Sequence, residues 1–101
     1  MPNVRFPATN KEFTAEQLAD GSAQIPTQVY IILLNDSETV SSDSAALIDA
    51  FKSTFGDWEH KSMFSGKIIS GTLEQAQVVW LLGNGTALIK VIEADGQVSI
   101  D

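Results

Sequence analysis

The sequence predicts an α+β fold, a mostly antiparallel sheet of roughly four to six strands packed against one main helix. Three observations predict it. The dipeptides Asn84-Gly85 and Asp95-Gly96 each stand between apolar runs, Leu47, Ile48, Phe51 and Phe55 recur at helical spacing, and Val29 to Leu34 is continuously apolar.

The first observation carries the most weight. Asn-Gly and Asp-Gly supply the positive φ angles that tight hairpin turns need. Gln77 to Asp101 therefore reads as a C-terminal β-meander of three strands, with turns at Asn84-Gly85 and Asp95-Gly96. Alternation then sorts its side chains onto two faces. Val78, Trp80, Leu82, Ile89 and Val91 fall on a core face. Val79, Leu81, Leu88 and Ile92 fall on the other, among Gln77, Lys90 and Gln97. A sheet face meeting water should be more uniformly polar. Either the N-terminal segment covers those four residues, or they form a subunit or partner interface, or a lipid or small-ligand surface.

The remaining elements follow in chain order. Met1 to about residue 12 contains Pro2 and Pro7 and reads as an irregular or edge-strand arm anchored by Val4 and Phe6. Thr14 and Gln17 form a capping box, Phe13 and Leu18 a hydrophobic staple, and Gly21 a stop, so a short helix is expected over about 15–20. Val29–Leu34 has the composition of a strand covered on both faces. Asn35 to Ser42 is polar and reads as a loop, with Ser42 capping the main helix, about 43–55, ahead of Gly56. Gly66–Ile69 pairs with Thr72–Glu74 around Ser70-Gly71, setting Lys67 opposite Glu74; the competing reading is a short helix over about 73–77.

Composition narrows the function classes. The 101 residues suit one domain, and 44% hydrophobic content is enough for a packed core. The chain has no cysteine, which removes disulfides, thiolate metal sites and cysteine nucleophiles. Its net charge of −7, from 13 acidic against 6 basic residues, disfavours direct binding to nucleic acid or anionic membrane. The first residues lack the apolar core of a signal peptide and the longest apolar run is too short for a bilayer, so a soluble, cytoplasmic protein is expected.

Searching for chemistry yields little. His60 lies in Asp57-Trp58-Glu59-His60-Lys61, where a base or ligand role would need an orienting carboxylate and a pocket. Neighbouring strand residues point oppositely, so Glu59 is badly placed for this. Gly83-Asn84-Gly85-Thr86 lacks the lysine and helix of a phosphate loop. Asp36, Glu38 and Asp43 miss the calcium-loop pattern. The expectation is no catalytic residue, no cofactor and no metal.

A non-catalytic protein–protein interaction or assembly module is the first reading. It would be homo-oligomeric, with Val79, Leu81, Leu88, Ile92 and Trp58 as interface residues, and a phage or virion structural component is one version. Its partner is itself or another protein. The second reading is an acidic inhibitor occupying a basic, nucleic-acid-binding surface of another protein, which needs Asp36, Glu38, Asp43, Asp49, Asp57 and Glu59 to converge. The third is a small ligand-binding domain or enzyme around His60.

Overall fold

Gln28–Leu34, the continuous apolar run, forms β3 near the middle of a six-stranded sheet. The structure is a computed structural model, and it describes residues 2–95. In chain order the other elements are β1 (Asn3–Phe6), β2 (Lys11–Thr14), α1 (Ala15–Ala19), α2 (Val40–Phe55), β4 (His60–Met63), β5 (Ile68–Leu73), α3 (Gln75–Asn84) and β6 (Ile89–Ala94). The strand order is β2-β1-β6-β3-β5-β4. Every neighbouring pair is antiparallel except β1 with β6. The expected α+β class and mostly antiparallel sheet are therefore present.

Register explains the core. Directly paired residues share a face, so Ile69, Ile32, Ile92, Val4 and Phe13 form one row across five strands. The first four of these are at most 1% exposed. Against this side pack Leu18 of α1, Leu47 and Phe51 of α2, and Val78, Leu81 and Leu82 of α3, all in one buried cluster. Burying each such side chain contributes about 2 kcal/mol before entropy. All three helices thus use one face of the sheet.

Local chemistry places the helices. Thr14 Oγ1 accepts from the Gln17 amide at 3.1 Å and Gln17 Oε1 accepts from the Thr14 amide at 2.9 Å, the capping box read from sequence. α2 starts at Val40, earlier than the expected Asp43, because Thr39 rather than Ser42 stands at its N-cap. The Thr39 hydroxyl donates to Asp43 at 2.7 Å there. Gln75 ties α3 to the α1–β3 connection. Its amide group donates to the Leu18 and Ala23 carbonyls and accepts from the Ile25 amide, at 2.9, 3.0 and 2.9 Å.

Two expectations are corrected and a third is narrowed. Gln75–Asn84 is a helix, so the meander has no first strand and Asn84-Gly85 is not a hairpin turn. Glu74 and Gln77 form a capping box, and Val78, Leu81 and Leu82 have the one-sided spacing of a helix. Gly85 ends the helix at φ −104°, its amide donating to the Leu81 carbonyl. Of the two readings of the N-terminal arm the edge strand holds, since β1 and β2 form a hairpin joined to the sheet with β2 at its edge. β5 runs straight through Ser70-Gly71 and pairs with β4, while Lys67 bonds Asp36 at 3.1 Å instead of Glu74. The second expected turn, Asp95-Gly96, and the last strand lie outside the described residues.

Tyr30 couples this core to pH. It is fully buried, its hydroxyl donates to the Pro26 carbonyl at 2.6 Å, and burial pushes its pKa from 10.0 up to about 12. Both folded and unfolded chains hold the proton below pH 10. Above that the unfolded chain ionises first, so stability should fall through the window from 10 to about 12. Urea unfolding at about pH 9 and about pH 11 should show this fall in the wild type and a smaller one in Tyr30→Phe. Equal losses in both proteins would rule Tyr30 out as the cause.

Candidate protein-contact surface on the open face of the sheet

The side of the sheet away from the helices is the candidate site. Its residues follow from the same register, one position along each strand. Met63 pairs with Ile68, Ile68 with Leu33, and Leu33 with Val91, giving an apolar row across β4, β5, β3 and β6. None of the four belongs to the buried cluster or packs against it. All are partly or largely exposed, Met63 at 42%. Among the described residues nothing covers this face.

The adjacent row is mixed. Lys61, Ser70, Ile31, Glu93, Arg5 and Glu12 pair in succession across all six strands. Arg5 stands 3.1 Å from Glu93 and 4.0 Å from Glu12. Lys61, at the other end, makes no ion pair among the described residues. Beyond this row lie Val29 and Thr72, also paired, with Val29 37% exposed. An open groove of about 450 Å³ sits where β4 begins. Val29, Lys61, Ser70 and Thr72 of the open face help to line it.

The β4–β5 turn follows Met63 at the end of β4. Phe64, Ser65 and Gly66 have φ of 53°, 56° and 89°, three left-handed residues in succession. For Phe64 and Ser65 this costs about 1–2 kcal/mol each. The turn is closed by Gly66 and Lys67 amides donating to the Met63 and Phe64 carbonyls. Gly66 fits because a Cβ there would lie 2.9 Å from Ser44 on α2. The result is a Phe64 side chain 71% exposed beside Met63. Strain of this kind tends to collect at functional segments.

The residues first expected at an interface lie elsewhere. Leu81 and Ile92 are 1% and 0% exposed, in the core. Val79 and Leu88 are half-buried and pack against that core. The cause is the strand reading of Gln77–Asn84, which propagated a wrong face to Ile92 across the supposed Asn84-Gly85 turn. Trp58 is also half-buried. Its indole donates to the Thr72 carbonyl at 2.9 Å and lies over Gly71, where a Cβ would come within 2.6 Å of the ring. Trp58 stands between Phe51, at 4.4 Å, and His60, at 4.9 Å and nearly parallel.

This packing bears on the other readings. His60 Nδ1 lies 2.9 Å from the Trp58 carbonyl, and the ring stacks on the helix side. Ser70, which shares its groove, pairs one position away and points to the opposite face. The two side chains therefore do not form a base–nucleophile pair. Among the described residues no three His, Asp or Glu side chains gather as a metal would need. Asp36 and Glu38 precede α2 whereas Asp57 and Glu59 follow it, about 24 Å away along a 16-residue helix. Asp43 and Asp49 lie about 120° apart around that helix. Among the described residues no helix is long and apolar enough to cross a membrane.

No family model, curated protein or solved structure matches the chain.

The apolar row had a signal in sequence. Val29, Ile31 and Leu33 are as apolar as Tyr30, Ile32 and Leu34, and Ile68 stands beside Ile69. Apolar residues at both parities of a strand leave an excess for a second face. The reading that both faces of β3 are covered by the chain itself used that signal, but the described residues cover one.

Proposed function

We propose that this chain is a non-catalytic protein-interaction and assembly module, and that the open sheet face is its contact surface. The apolar row Met63–Ile68–Leu33–Val91 carries this reading, because it occupies a face that no helix covers among the described residues. A sheet with one packed side normally turns a polar side to water. Contiguous exposed apolar side chains are a standing cost to solubility unless a partner removes them from water. The Phe64 turn adds a large, rigid anchor at the rim, and aromatic anchors dominate contact energetics. Self-association is the form of contact proposed, and a component of a larger protein assembly is one setting for it.

Leu33→Glu tests this directly. Leu33 is central in the row and packs on no core residue, so the variant should keep its fold. Its circular dichroism should match the wild type, while light scattering on a sizing column should show the oligomer lost. A variant that keeps the wild-type oligomeric mass would remove the open face as the contact surface.

A further inference from the structure

We infer that two copies pack open face to open face about a two-fold axis that runs parallel to the strands between β3 and β5. This rests on the reading of the open face as the contact surface, and it adds the partner's identity and register. The argument is one of self-complementarity, which an isologous interface requires.

A two-fold axis along the strands keeps each row in place and exchanges the two sides of the sheet. β5 of one copy then lies over β3 of the other, and β4 over β6. Ile68 meets the second copy's Leu33, and Met63 meets its Val91, so the apolar row closes on itself. In the adjacent row Lys61 comes over Glu93 of the second copy, and Ser70 over Ile31. Lys61 thereby gains a carboxylate, which it lacks among the described residues of its own chain. By symmetry this ion pair forms twice. Val29 and Thr72 meet in the last row. The alternative in-plane axis, running across the strands, stacks β4 on β4 and β6 on β6. Lys61 and Glu93 of different copies then never meet.

The overlap is modest. Four strands, β6, β3, β5 and β4, lie opposite one another about this axis, and at about 4.8 Å per strand and some 6 residues at about 3.3 Å they give a flat area on the order of 400 Å² per copy. With side-chain relief this is the size of a small, readily dissociating interface. Aligned sheets pack about 10 Å apart with their strands rotated by about 30°, a geometry that tolerates the twist of both sheets.

Charge reversal with mixing is the test. In Lys61→Glu alone both inter-copy pairs become Glu opposite Glu, and in Glu93→Lys alone both become Lys opposite Lys. Each variant should dissociate, with Kd raised by about tenfold or more. A one-to-one mixture restores two attractive pairs in a heterodimer, so sedimentation velocity should show the dimer return only on mixing. Variants that stay dimeric alone, or monomers that do not recombine, would overturn this packing. If Leu33→Glu dissociates the wild-type oligomer in the same series, the contact surface stands and only the register falls. A monomeric wild type would overturn both. Glu93→Lys also loses its bond to Arg5, and if it does not fold, Lys61→Gln and Glu93→Gln replace the pair. Each should then flatten the salt dependence of dimer formation equally, and an unchanged salt slope would refute the Lys61–Glu93 contact.

Discussion

Leu81→Glu should abolish folding, and the loss should exceed about 4 kcal/mol. Leu81 projects from α3 into the cluster shared with the sheet and is 1% exposed. Among the described residues that interior holds no charged side chain, and Ser44 is its one buried polar residue by exposure. A carboxylate placed there loses its hydration without gaining a cation. The apolar contacts of the leucine, about 2–3 kcal/mol, are lost as well. A chain of this size has about 5–15 kcal/mol in total. Circular dichroism should therefore show an unfolded or molten chain at room temperature. A folded Leu81→Glu that merely dissociates would contradict the inward face of α3. It would favour instead a strand with Leu81 on an accessible surface.

Phe51→Ala should cost about 3–5 kcal/mol while leaving the open face in place. Phe51 is 1% exposed, and its ring centroid stands 4.4, 4.9 and 5.8 Å from those of Trp58, Phe55 and Trp80. It is thus the shared neighbour of an aromatic group that joins α2, α3 and the loop before β4. Removing it leaves a void beside Trp58, whose indole is then held by His60, Gly71 and the Thr72 carbonyl. Urea unfolding should show the midpoint shifted with the slope preserved. A loss below about 1 kcal/mol would mean the neighbouring rings collapse into the void and Phe51 is not central.

Much of the helical side was legible because local chemistry and burial agree there. Thr14 and Gln17 announce α1, the stripe Leu47–Phe51–Phe55 announces most of α2, and Val29–Leu34 announces the central strand. Gln77–Asn84 misled because two local signals conflict. Val78, Val79 and Trp80 are strand formers by composition, and Asn84-Gly85 resembles a hairpin turn, yet the burial spacing and the Glu74–Gln77 box are helical. The helix is the arrangement that buries Val78, Leu81 and Leu82, each at most 1% exposed, in the common core.

The proposed contact surface was legible only as an idea, an apolar face of the sheet left over after the core is filled. Its residues were not, because Met63, Ile68, Leu33 and Val91 come from four strands whose order no local pattern encodes. Leu33 was visible as apolar, but its direction depends on pairing with Ile68 and Val91. Phe64-Ser65-Gly66 reads as a turn in sequence, but its backbone conformation does not follow from it. Nothing in Phe64-Ser65 favours left-handed backbone, and only the neighbouring Gly66 hints at it.

The central claim is that copies of this chain meet through the open face, and the solution mass of the wild type tests it most directly. Light scattering on a sizing column should give twice the chain mass of 10.9 kDa at micromolar concentrations, falling to the single-chain value on dilution. A wild type that elutes with the single-chain mass throughout, up to millimolar concentration, would contradict the account.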